Sequence, residues 1–147
     1  MRIIVDTNIV FSALLNTDGI IGDLIFNSGR LFDFYSCSYM RFEISKHWEK
    51  IKNISALNDD LLREAQFRLF TRIKFIDEEI IPPKIWSASE KIVHDIDIDD
   101  LDFIALAKYL RGFVWTGDKV LYKGLKRKKY ERVFTTAELV AIRDKRI

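Results

Sequence analysis

Acidic side chains set beside apolar runs are the residues of this chain best placed to do chemistry. Asp6 stands between Ile3-Ile4-Val5 and Ile9-Val10-Phe11, and Glu43 lies between Met40 and Ile44. Asp118 follows Trp115-Thr116-Gly117, and Asp100 belongs to an acid-rich stretch with Asp95, Asp97, Asp99 and Asp102. A carboxylate enclosed by such runs is costly unless a positive partner or hydrogen bonds compensate it. No Lys or Arg lies between residues 3 and 29, so nothing local neutralises Asp6. A bound divalent cation would. Oxygen donors without a Cys or His cluster suit Mg²⁺ or Mn²⁺ better than Zn²⁺.

Other common machinery is missing from the sequence. It has no Gly-x-Ser-x-Gly elbow, no His-Glu-x-x-His pair, no P-loop and no Gly-x-Gly-x-x-Gly. Thr116-Gly117-Asp118-Lys119 lacks the spacing and second glycine of a phosphate loop. His47 and His94 stand among charged residues and read as surface side chains. Cys37, the single cysteine, reads as a small buried hydrophobe and excludes a disulfide framework.

The surrounding pattern says which elements position the acids. Arg2 to Val5 and Leu31 to Tyr35 read as strands, with helices over Asn8 to Leu15 and Ile20 to Asn27 between them. Met40, Ile44, Trp48 and Ile51 recur at helical spacing and predict one helix from Tyr39 to Lys52. Another helix carries Leu61, Leu62, Ala65, Leu69 and Ile73 and starts near Asn58 or Asp59; Phe75-Ile76 is a short strand candidate. Pro82-Pro83 breaks the chain ahead of a helix towards His94. A helix over Asp100 to Leu110 precedes the Phe113-Val114-Trp115 strand, and a basic helix runs from Asp118 to Lys128. Val133-Phe134 is the last strand, and Thr135-Thr136-Ala137-Glu138 a capping box that opens the final helix.

Alternating strands and helices predict an α/β fold, a three-layer α/β/α sandwich around a mainly parallel sheet of four to five strands. Such sheets gather functional groups at the carboxyl ends of their strands. Asp6 and Asp118 follow strands, Asp100 opens the helix before one, and Glu43 falls in the first turn of the helix after the second strand. All four therefore face one edge. Each also has an ordinary role open to it: Glu43 and Asp100 as complements of helix dipoles, Asp118 as an N-cap.

Composition bounds the rest. A chain of 147 residues, 48% hydrophobic with 11 Phe, has material for one packed domain over 1–147. No apolar run reaches the roughly 18–20 residues of a membrane span, and no secretory signal opens the chain, so the expected setting is cytoplasmic, with no membrane partner. Net charge is +2, but the charges segregate. The acid-rich stretch is followed by Lys119, Lys123, Lys126, Arg127, Lys128, Lys129 and Arg132, which reads either as a solvated helix face or as a surface for phosphates.

Val5-Asp6-Thr7-Asn8-Ile9-Val10, then Glu43, then Asp100 ahead of Phe103-Ile104-Ala105-Leu106-Ala107, then Trp115-Thr116-Gly117-Asp118 together resemble the PIN-domain nucleases. The likeness is greatest to the branch of toxin components of prokaryotic toxin–antitoxin pairs. The resemblance implies that Asp6, Glu43, Asp100 and Asp118 hold one or two Mg²⁺ or Mn²⁺ ions, with Thr7, Asn8 and Thr116 orienting them. Asp97, Asp99 and Asp102 are further candidate ligands in the blurred acidic stretch. It implies metal-dependent hydrolysis of RNA by an endoribonuclease, an antitoxin protein as partner, and relatives that often dimerise. Such an ion lowers the pKa of a water and neutralises charge developing on phosphate, so no protein nucleophile is required. The basic segment would then collect RNA, with Tyr122 and Tyr130 available for stacking. Two competitors remain: a catalytically inactive PIN-like RNA- or protein-binding module, and a phosphoacceptor receiver domain, which needs paired acids after the first strand where Asp6 stands alone.

Overall fold

A computed structural model describes residues 1–145. Five strands, β1 (Arg2–Val5), β2 (Asp33–Cys37), β3 (Ile73–Ile76), β4 (Phe113–Trp115) and β5 (Val133–Phe134), form one sheet in the order β3-β2-β1-β4-β5. Every neighbouring pair is parallel. The sheet is thus fully parallel with five strands, at the upper end of the expected count. β1 lies at its centre, with Ile4 in register with Tyr35 on one side and Val114 on the other.

Alternation along β1 explains the layers. Successive side chains of a strand point to opposite faces. Ile3 and Val5 enter one core with Val10, Leu14, Leu24 and Leu69. Ile4 enters the other, with Ile104, Leu106, Val114 and Leu125. A strand covered on both faces has to be apolar throughout, as Ile3-Ile4-Val5 is. The first face is covered by α1 (Thr7–Leu15), α2 (Ile20–Asn27), α4 (Trp48–Ser55), α5 (Asp59–Thr71) and α9 (Thr136–Lys145). The second is covered by α6 (Pro83–Val93), α7 (Leu101–Leu110) and α8 (Lys119–Arg127). No single helix among the described residues is long and apolar enough to cross a membrane.

Three boundaries differ from the expected ones, the first being that α5 stops at Thr71 and Ile73, expected on that helix, opens β3. β2 begins at Asp33, because Leu31 and Phe32 are held in a turn by the Ser28 carbonyl, and the Asp33 N–H donates to the Met1 carbonyl instead. The long helix expected from Tyr39 to Lys52 is two helices, α3 (Ser38–Lys46) and α4, that part at His47. Because α3 starts at Ser38, Glu43 sits in its second turn rather than the first, and no acid occupies that first turn.

Candidate functional site

The order of strands reverses between β1 and β4: the chain grows through β2 and β3 on one side and returns to β4 and β5 on the other. Ligand sites of parallel sheets lie in the crevice beyond the strand ends at such a switch. Asp6 and Asp118, just after β1 and β4, flank that crevice. It is a cleft of about 270 Å³ whose lining includes Asp6, Glu43, Asp97, Asp99, Asp100 and Asp118.

Asp6 caps α1, its Oδ1 accepting from the Ile9 N–H at 2.9 Å. The side chain is buried, and burial pushes its pKa up to about 6. The hydrogen bond from Ile9, the Thr116 hydroxyl and the Asn8 backbone oppose the rise, while the charge of Asp118 adds to it. Asn8 therefore supports Asp6 through its main chain, its side chain being exposed.

Asp100 stands at the N-cap of α7 yet makes no capping hydrogen bond. Its Oδ2 is buried without a hydrogen-bond partner among the described residues. Burial, then the charges of Asp97, Asp6, Asp118 and Asp99, push its pKa up to about 7. Asp97 precedes it across a single 3₁₀ turn (Ile98–Asp100), which its own Oδ1 caps through the Asp99 N–H at 3.0 Å. Asp118 caps α8, Oδ1 accepting from Val120 and Leu121, while its N–H donates to the Thr116 hydroxyl at 3.0 Å.

Asp97, Asp100 and Asp118 each offer an oxygen within 4.8 Å of the others. Three carboxylates so close repel one another unless a cation or protons intervene. An oxygen-only set with one orphaned buried oxygen fits a hard divalent cation. Asp97, one of the further candidates in the sequence, is therefore in the tight group. Asp6 and Glu43 line the same cleft. Glu43 accepts the Thr7 hydroxyl at 2.8 Å, which ties α3 to the start of α1. Asp99 lines the cleft, whereas Asp102 is not in its lining, and its pKa is raised by burial and then by the charges of Glu78 and Glu43.

His47, read from the sequence as a surface side chain, is exposed but lines the cleft, its ring edge-on to Phe11 at 5.8 Å. Its place comes from the α3–α4 break, which the uninterrupted apolar spacing concealed. Cys37 is buried as expected, and burial with nearby carboxylates raises its pKa.

The basic segment divides. Lys126 pairs with Glu131 at 2.8 Å, and Lys128 pairs with Asp95 and donates to the Ile92 carbonyl at 2.6 Å. Lys119 and Lys123 instead line a groove of about 280 Å³ with Tyr122, Thr135 and Thr136, adjoining the acidic cleft at Thr116 and Asp118. Arg127 and Lys129 are exposed.

A parallel α/β sandwich with a carboxylate cluster beyond β1 and β4 defines a PIN-like protein. The chain matches the PIN domain family model over residues 4–138 and belongs to that family. Among solved structures it is similar to VapBC2 from Rickettsia felis bound to a DNA fragment from their promoter. That likeness has a TM-score of 0.68 at 14% identity, covering 92% of this chain and 98% of the other. No curated protein matches the chain significantly.

Proposed function

We propose that the chain, as one nuclease domain over 1–147, is a metal-dependent endoribonuclease acting in the cytoplasm. The observation that carries this reading is the grouping of Asp97, Asp100 and Asp118, with one oxygen of each within 4.8 Å of the others, together with a buried Asp100 oxygen that has no hydrogen-bond partner among the described residues. Asp97, Asp100 and Asp118 would hold Mg²⁺ or Mn²⁺, with Asp6 and Glu43 beside them. The ion would supply Lewis-acid activation of water and neutralise charge on a phosphodiester. Thr7 fixes the Glu43 carboxylate, and Thr116 fixes the main chain at Asp118, so neither acid has to be ordered at the moment of reaction. Lys119 and Lys123 offer phosphate contacts along the adjoining groove, with the Tyr122 ring at its wall.

Membership of the family and the likeness to VapBC2 support a toxin role with an antitoxin protein as partner, and a homodimer is the assembled form we propose with it. The deciding experiment pairs Mn²⁺ titration calorimetry with cleavage of single-stranded RNA. We expect Mn²⁺ binding and Mn²⁺- or Mg²⁺-dependent cleavage, both lost in Asp100→Asn. Cleavage that persists in EDTA, or in the rigorously purified variant, would overturn the mechanism. RNA binding without cleavage would return the inactive-module reading.

A further inference from the structure

At the opposite pole from the carboxylates, the start of α6, the end of α7 and the turn between α8 and β5 enclose a second cleft of about 480 Å³. Lys84, Lys108, Arg111 and Arg132 surround it, Tyr130 forms a wall, and Ile85 contributes to an apolar floor. No acid lines it, and these four cations make no ion pair among the described residues. Like charges left together without counter-charges raise the local potential and attract anions.

These cations are placed, not scattered. Arg132 donates from Nε to the Gly112 carbonyl at 3.2 Å and from Nη2 to the Arg111 carbonyl, and its guanidinium lies 4.3 Å over Phe113. Arg111 ends α7 in the left-handed region, at φ 55°, a position that usually falls to glycine. The neighbouring Gly112 is reserved for close approach, since a Cβ there would sit 2.7 Å from Ile4 Cδ1. Lys84 occupies the first turn of α6, where the helix dipole disfavours a cation. Stability alone would select a different residue at both 84 and 111. The Lys108 ammonium lies 5.8 Å from the centre of the Tyr130 ring, which puts an aromatic face beside the charges.

We propose that this cleft is a phosphate-binding subsite for single-stranded RNA: a base lies against Tyr130, and Lys84, Lys108 and Arg111 hold a backbone phosphate. An aromatic platform beside cations is the combination that unpaired nucleic acid uses, since every base has a π-face. An acidic peptide would leave the ring unused. The ten residues of α7 separate the subsite from Asp100 by about 15 Å at about 1.5 Å per residue, so it holds the strand flanking the acidic cleft rather than the bond beside it. It rests on the ribonuclease reading only for its choice of polymer.

The test is binding of a labelled 20-residue oligouridylate in EDTA, across a salt series, to the full chain and to Lys84→Gln/Arg111→Gly. Glycine suits the left-handed backbone at 111, and Lys84 is exposed, so the variant keeps its fold, which a thermal melt verifies. The expected result is a several-fold loss of affinity and a log–log salt slope shallower by about 0.7, the value for one lost single-strand phosphate contact. Affinity and slope equal to those of the unaltered chain, or a loss matched by the control Lys50→Gln, would overturn the subsite. Displacement of the oligouridylate by polyglutamate through the same residues would reassign it to acidic peptide. Loss of binding in the variant of a chain that shows no Mn²⁺-dependent cleavage would leave the subsite standing and remove the nuclease reading alone.

Discussion

Burial holds Asp6 at a pKa of about 6 against 3.8 for the free side chain. As pH rises from about 4, the unfolded chain therefore releases its proton first, and the folded state loses stability until the folded group has also ionised. The loss is complete near pH 7 and amounts to about 3 kcal/mol at about 1.36 kcal/mol per unit. Asp100, raised to about 7, acts in the same direction. In EDTA the protein should melt at a higher temperature at pH 5 than at pH 7.5. Asp6→Asn, which keeps an acceptor for the Ile9 N–H, should flatten that difference and raise Tm at pH 7.5. Mn²⁺ should raise Tm at pH 7.5 in the unaltered chain and much less in the variant, because only an ion favoured by the folded cluster stabilises it. Melts in EDTA whose Tm climbs between pH 5 and 7.5 would contradict this. The place of Asp6 and Asp118 at the cleft was legible in the sequence because Asp6 directly follows one apolar strand and Asp118 stands three residues after another. The acidic stretch was not, because a run of alternating aspartates has no phase until the 3₁₀ turn sets Asp97 three residues before Asp100 on the same side.

The elements around the cleft are held by contacts that leave little room for change. Gly124 lies in α8 where a Cβ would meet three atoms of the Ile96 side chain at 2.8–2.9 Å. Ile96 immediately precedes Asp97, so its displacement reaches the carboxylate group. Gly124→Ala should destabilise the fold by about 1–3 kcal/mol, the range of overpacked cores, and weaken Mn²⁺ binding by more than the melt alone accounts for. Gly29→Ala, where a Cβ meets nothing within 4 Å, is the control and should change neither. Thermal melts with Mn²⁺ calorimetry check both; unchanged Mn²⁺ affinity in Gly124→Ala would detach α8 from the site. Most elements were readable from apolar spacing and punctuation: Asn58 caps α5, Pro83 opens α6, and Thr135 and Glu138 exchange hydrogen bonds as a capping box. The break at His47 was not, since Met40, Ile44, Trp48 and Ile51 keep helical spacing through it. That break carried His47 into the cleft, while the start of α3 at Ser38 left Glu43 a turn deeper than its sequence position implied.

Across the whole molecule the two signs of charge meet at Asp118, which belongs to the acidic cleft while its neighbour Lys119 lines the basic groove. Not every cation beyond it is available. Lys128 ties the end of α8 to Asp95 and to the end of α6, and Lys126 is paired with Glu131, so their first role is to hold the layer together. Lys119 and Lys123 have no such partners among the described residues. Their neutralisation should accordingly separate capture from cleavage. Lys119→Gln/Lys123→Gln should bind single-stranded RNA more weakly, with a salt slope shallower by about 1.4 for two lost contacts. Its cleavage rate at saturating RNA should change far less, since these contacts serve ground and transition states alike. Asp118→Asn should do the reverse. It removes a negative charge that faces a polyanion, so binding holds or improves while cleavage is lost. Filter binding across a salt series and single-turnover cleavage at saturating enzyme measure the two quantities independently. A double lysine variant with its salt slope intact would move RNA capture elsewhere on the surface, whereas an Asp118→Asn protein with full cleavage would remove the carboxylates from the chemistry altogether.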